Sequence, residues 1–189
     1  MPLGPSAERE ELHLRDIQLR GYRRTDGLFD IEARLTDTKT YTFENQDRGR
    51  IPSGEPLHGM WMRMTVDEDL TIVACEAVTE HAPYSICPGG AKNFASLAGL
   101  RIGPGFLKAA MARVAGTLGC THLRELLQQM ATVAFQTSYP VRARRESERK
   151  PAERPPLLDT CYAFASEGPV ARRLWPDLAK ADADPDPAG

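Results

Sequence analysis

Phe29-Asp30-Ile31-Glu32-Ala33-Arg34-Leu35 alternates apolar and charged side chains at every step. A period of two is that of a β-strand with one face buried and the other in water. Thr25-Asp26-Gly27 stands just before it, and Asp-Gly is a strong hairpin signal. Upstream, Ile17 and Leu19 alternate with Asp16, Gln18 and Arg20. The stretch therefore predicts an antiparallel hairpin that starts near Leu14. Its apolar face is Phe29, Ile31, Ala33 and Leu35. Asp37-Thr38-Lys39 reads as a bend before Tyr41 and Phe43.

Residues 44–56 are rich in charge, Gly and Pro and read as a loop. A second hairpin follows. Met60, Met62, Met64 and Val66 share one strand face, with Trp61 and Arg63 on the other, and Asp67-Glu68-Asp69 makes the turn. Thr71 to Thr79 is apolar at nearly every position, the pattern of a strand buried on both faces. Cys75 belongs to that strand and reads as core.

After Pro83 the period changes. Ala91 to Leu100 reads as a short helix. A second helix starts at Pro104 and ends at Gly116, positions that suit those residues. The long helix runs from Thr121 to about Phe135, with Leu123, Leu126, Leu127, Met130 and Ala134 as its apolar stripe. Residues 141–156 hold a run of Arg, Glu and Pro and read as a mobile loop. Asp159 to Ala165 resumes a strand-like pattern, and Val170 onward reads as a returning strand. The expected fold is α+β: an antiparallel sheet built from hairpins, three helices packed on one face, and a C-terminal hairpin extending the sheet. The expected organisation is a loose N-terminus (1–12), one α+β domain (13–175) and a disordered tail (176–189).

The chain has 189 residues, of which 41% are apolar, enough for a real core. Its net charge is -2, from 24 Lys and Arg against 26 Asp and Glu, which argues against a dedicated nucleic-acid binder. The Arg/Lys cluster at 142–150 is the sole feature favouring that role, and such clusters are usually solvated. No apolar run approaches the roughly 18 residues of a membrane span. Met1 to Ser6 lacks a basic region followed by an apolar core, so a cytoplasmic location with reduced cysteines is expected. The cysteines, Cys75, Cys87, Cys120 and Cys161, form no CxxC pair.

Chemistry concentrates in Gly119-Cys120-Thr121-His122-Leu123, at the start of the long helix. Thr121 can cap that helix. The positive end of the helix dipole favours a thiolate at Cys120 and a neutral imidazole at His122. The bland alternative is a cap, a small buried cysteine and an exposed histidine. Cys87 precedes Pro88-Gly89-Gly90 in a turn that leads into a helix. His58 lies in register with Met60 and Met62, on the buried face, as a ligand or as a satisfied core histidine. His81 and Tyr84 flank Cys87 in sequence. His13 stands at the loose N-terminus and is set aside. His58, Cys87, Cys120, His122 and Cys161 together are a donor set that zinc or iron accepts. A thiol nucleophile with His122 as base is the metal-free alternative, with Cys87 and His122 as the better pair. Arg23 or Arg24 can hold a carboxylate or phosphate, against the plainer reading of cross-strand ion pairs.

Three segments together resemble a bacterial family, domain of unknown function 2889. They are Arg20-Gly21-Tyr22-Arg23-Arg24-Thr25-Asp26-Gly27-Leu28-Phe29-Asp30-Ile31-Glu32, Pro83-Tyr84-Ser85-Ile86-Cys87-Pro88 and Gly119-Cys120-Thr121-His122-Leu123. The resemblance covers roughly residues 12–175. It implies that Cys120 and His122 stand in the family's signature segment, and it implies no reaction.

The expectation is a small-molecule enzyme or ligand-binding protein. Its pocket lies between sheet and helices, with Cys87, Cys120 and His122 as catalytic candidates and His58, Tyr84 and Arg24 as ligand contacts. The metal candidates are His58, Cys120 and His122. The alternative is a non-catalytic interaction module whose cysteines are core and whose Met-rich strand (Met60, Met62, Met64) and Arg-rich loop meet a partner protein, or a second copy in a homo-oligomer.

Overall fold

The computed structural model describes residues 3–148, 155 and 157–176. Residues 149–154 and 156 of the expected loop, and 177–189 of the expected tail, lie outside them. The chain divides into two compact units, Met1–Arg142 and Ala143–Gly189.

The first unit holds six strands: β1 (His13–Arg23), β2 (Phe29–Lys39), β3 (Phe43–Asn45), β4 (Gly49–Ile51), β5 (Pro56–Val66) and β6 (Ile72–His81). Four of them form an antiparallel sheet in the order β1-β2-β5-β6. The other two, β3 and β4, form a small hairpin where a loop was expected at 44–56. Asn45 makes that turn: its side-chain oxygen accepts from the backbone N–H of Asp47 and Arg48.

Three further segments carry the layer above the sheet. They are a 3-10 helix (Cys87–Leu97), α1 (Phe106–Val114) and α2 (Thr121–Ser147). The mixed α+β architecture is as the patterning predicts. Phe29, Ile31, Ala33 and Leu35 of β2 meet Met60, Met62 and Met64 of β5, Phe94 and Leu97 of the 3-10 helix, and Leu123, Leu126, Leu127 and Met130 of α2 in one core. Each large side chain withdrawn this way contributes roughly 1.5–3 kcal/mol. The methionine face is therefore covered by the chain's own helices and offers a partner no surface.

Several expected boundaries move, each for a local reason. The helix expected at 91–100 is a 3-10 helix that begins earlier, at Cys87. Gly89 and Gly90 are poor α-formers, and Pro88 supplies no N–H. Pro104 precedes α1, whose N-cap is Gly105 with φ 82°. The long helix does not stop near Phe135 but continues to Ser147 with Pro140 inside it. Its buried stripe runs on through Ser138, whose hydroxyl donates to the carbonyl of Ala134 at 2.9 Å. The expected mobile loop is thus helical over 141–147. β6 is an edge strand buried on one face only, with Val73 and Val78 exposed. A bulge opposite Thr65 and Val66 inserts Val73 as an extra residue, which breaks the alternation.

The second unit contains no strand among its described residues, so the expected C-terminal hairpin is absent there. Tyr162–Phe164 is a 3-10 turn and Pro169–Leu174 a helix, α3. Pro169 opens α3, the position where proline suits a helix. The rings of Phe164 and Trp175 pack 5.7 Å apart.

The seat of α2 on β1 is tight at Gly21. A Cβ there would lie 1.8 Å from Thr137 Oγ1 and 2.8 Å from Thr137 Cβ. Gly21→Ala should lower the unfolding free energy by about 1–3 kcal/mol in urea denaturation. Thr137→Ala in the same chain should restore part of that loss. Strictly additive effects of the two substitutions would show that the side chains do not meet.

Candidate functional site

The alternation that builds β2 does not end at Leu35. Its next inward position is Asp37, only 1% exposed. Cross-strand pairing sets Arg15 of β1 opposite Asp37 on one side and His58 of β5 opposite it on the other. Three polar side chains thus stand in one row across three strands, on the face that carries the core.

Arg15 grips Asp37 with two nitrogens, Nε to Oδ1 at 2.7 Å and Nη2 to Oδ2 at 2.8 Å. His13 Nε2 lies 3.2 Å from Oδ1, and His58 Nδ1 lies 3.0 Å from Oδ2. From above, α2 adds His122, whose Nε2 is 3.8 Å from Oδ2, and Glu125, which accepts from Arg15 Nη1. Burial acts to raise the Asp37 carboxyl. The hydrogen bonds and charge of Arg15, with His58 and His13, outweigh it and hold the group at about 2.

The rings of His58 and His122 lie face to face, centroids 3.8 Å apart and tilted by 33°. Burial lowers the pKa of both. The proximity of His122 lowers His58 further, and the guanidinium of Arg15 lowers His122 further. Both imidazoles are therefore neutral at pH 7. An ionised carboxylate only accepts, so His58 donates from Nδ1 and keeps a lone pair on Nε2. His122 Nδ1, its other nitrogen, lies 3.9 Å from Cys120 Sγ.

Cys120 is held by its neighbours. A Cβ on Gly119 would come within 2.7 Å of the Val114 carbonyl and 3.1 Å of the Phe94 ring. A Cβ on Gly90 would meet the Cys120 backbone nitrogen at 3.3 Å. Cys120 Sγ rests 3.8 Å from Met60 Sδ. The carbonyl of Cys120 accepts from Arg124 N, which makes Thr121 the first helical residue rather than the cap.

A cleft of about 430 Å³ opens beside these groups, lined by His58, Met60, Tyr84, Cys87, Cys120 and His122 among others. Five of the sequence-predicted residues thus share one cavity. The rest do not. Arg24 sits at the β1–β2 turn and is committed to Asp26 at 2.6 Å and Asp30 at 3.5 Å. Cys75 is buried in the core, and that burial pushes its thiol up to about 12. His81 packs over Gly59. Cys161 precedes the 3-10 turn of the second unit instead of lying on a strand, and is exposed. Asp37, His13, Arg15 and Glu125 are the additions. The first three carry a signal, because each continues the inward alternation of its strand. Glu125 carries none.

The description of the family whose model matches residues 13–136 is Protein of unknown function (DUF2889). The chain belongs to the DUF2889 family. The matched span runs from the first residue of β1 into α2 and contains every residue of the cleft and its supporting row. No curated protein and no solved structure matches the chain.

The two lowered imidazoles set a pH dependence. The unfolded chain takes up their protons more readily, so stability is complete above about pH 6.5 and falls as the pH drops below it. Asp37 has the same sign at lower pH. Its contribution, on the order of 2 kcal/mol, is complete above about pH 4 and is lost as the pH falls through 2. Urea denaturation at pH 7.5 and 5.5 should show the first loss, and His58→Gln or His122→Gln should flatten it. An unchanged slope in both variants would mean that these rings charge freely in the folded chain.

Proposed function

We propose that the cleft is the working pocket of a small-molecule enzyme or ligand-binding protein, and that His58 and His122 act on its ligand. The observation that carries this reading is the buried Asp37 carboxylate beneath two stacked, neutral imidazoles that line a cavity. A carboxylate used only to satisfy Arg15 needs no pair of histidines beside it. Neutral imidazoles fixed in orientation can accept a proton or bind a metal. The setting is a cytoplasmic one, with Cys87 and Cys120 as free thiols beside the rings. Among the described residues no helix is long and apolar enough to cross a membrane.

A metal-bound form is the second reading, favoured by one further observation. Ligand atoms of Asp37, His58 and His122 lie within 4.8 Å of one another. Zinc or iron suits the two imidazoles, with the Cys120 thiol as an adjoining soft donor. In this reading Asp37 backs the rings from behind, since Arg15 already occupies both its oxygens.

Two measurements separate these readings. NMR of the chain against a fragment set of apolar esters, amides and carboxylic acids should shift signals of His58, Met60, Tyr84 and His122. Hits confined to other surfaces would remove the pocket. Protein purified without a histidine tag, loaded with Zn²⁺ and dialysed, should retain one ion per chain in the metal-bound reading and lose it in His122→Ala. Metal-free protein with an unchanged fold after loading would remove that reading alone.

A further inference from the structure

Cys120, His122 and Asp37 form a series in space. The thiol lies 3.9 Å from one imidazole nitrogen, and the other nitrogen lies 3.8 Å from the carboxylate. Both gaps are longer than a hydrogen bond, as thiol–imidazole contacts often are before substrate binds. Among the described residues no other cysteine makes an imidazole contact of this kind: Cys75 is core, Cys161 is exposed in the second unit, and Cys87 lines the cleft. The cleft is also two-sided. Cys120 and the histidines make its polar end, and Met60, Pro83, Tyr84 and Ile86 its apolar wall. Ile86 is 82% exposed and Tyr84 54%, so this wall presents apolar surface to whatever enters the cleft.

We propose that Cys120 is an acyl-accepting nucleophile with His122 as its base, and that the substrate class is an activated acyl compound, a thioester or reactive ester, with an apolar acyl chain. This rests on the pocket reading above and names the chemistry of that pocket.

The steps balance without an oxidant or reductant. His122 Nδ1 takes the thiol proton as Cys120 Sγ attacks the acyl carbon. A C–S bond forms, and the carbonyl π pair moves to oxygen. The first-turn amides of α2 have no intrahelical acceptor and serve in this scheme as donors to that oxyanion. Collapse breaks the bond to the leaving thiol or alcohol, which receives the proton from His122. Water then gives a proton to His122 and its oxygen to the acyl carbon. The Cys120–acyl bond breaks, and the His122 proton returns to Cys120. The net change is an acyl compound and water converted to a carboxylic acid and a thiol or alcohol. Asp37 is a positioning residue that favours the His122 tautomer with its proton on Nε2 and the lone pair toward Cys120.

The test uses the full chain and p-nitrophenyl hexanoate. The expected result is a burst of about one p-nitrophenolate per chain, with one hexanoyl group mapped by mass spectrometry to Cys120. Cys120→Ala should abolish both. His122→Gln should slow acylation on the order of 100-fold while its melting curve stays that of a folded chain. If Cys120→Ala melts abnormally, Cys120→Ser serves in its place and should also lose the burst. Asp37→Asn should shift the tautomer balance of His122 in nitrogen-15 spectra. Hexanoyl found on Cys87 or Cys161, or a burst unchanged by His122→Gln, would overturn the proposal. Fragments bound in the cleft without acylation of Cys120 would overturn the nucleophile and leave the pocket standing. Absence of both would overturn both.

Discussion

The carboxylate of Asp37 is the charge around which this fold is arranged. An ionised carboxylate costs several kcal/mol to withdraw from water unless charge and hydrogen bonds replace its hydration. Arg15 does so with two nitrogens at 2.7 and 2.8 Å, and His58 and His13 add to it. Those partners come from the two strands that flank β2, at positions directly opposite Asp37 or next along. A one-residue slip of β2 against either neighbour would carry Asp37 to the wet face and the charged residues of the wet face into the core. The ion pair and the apolar row of Phe29, Ile31, Ala33 and Leu35 therefore specify the same register.

The same group decides the state of the imidazoles. His58 and His122 stack at 3.8 Å, a distance at which two imidazolium ions would repel strongly. Asp37 alone would attract a proton to each ring. Burial and the charge of Arg15 act the other way and prevail. The site thus keeps its negative charge paired within the sheet and presents neutral bases toward the cleft. Glu125 closes the arrangement by engaging the remaining side of Arg15, which ties α2 to β1 across the layer.

The sheet was legible because its signal is local. Alternation in residues 17–35 and 60–66 needs only neighbouring residues to be read, and the structure follows it. The helical stripe from Leu123 to Ala134 was legible for the same reason. Signals failed where a polar residue took an apolar place. Asp37 continues the β2 alternation but reads as a turn residue beside Thr38 and Lys39. Ser138 and Pro140 continue α2 beyond Phe135, where the apolar stripe reads as ending. The edge position and bulge of β6 depend on its partner strand, so its apolar run misleads. Of the site, His58, Cys120 and His122 were visible as residue types at strand and helix ends. That they share a cavity follows from the pairing of β2 with β5 and from the close approach of Gly119 to Val114, neither of which has a local signature.

Arg15 also limits what Asp37 can do. With a guanidinium on both of its oxygens, the carboxylate has little capacity to bind a cation directly, and a divalent ion there would stand beside a fixed positive charge. Its influence on the cleft therefore passes through the rings. It fixes the proton of His58 on Nδ1 and favours the proton of His122 on Nε2, which leaves His58 Nε2 and His122 Nδ1 as the atoms with free lone pairs. A cation on His122 Nδ1 and a proton moving there from Cys120 would use the same lone pair, so metal binding at that nitrogen and thiol activation exclude one another. Thiol activation would use the approach of Cys120 Sγ to His122 Nδ1, 3.9 Å apart.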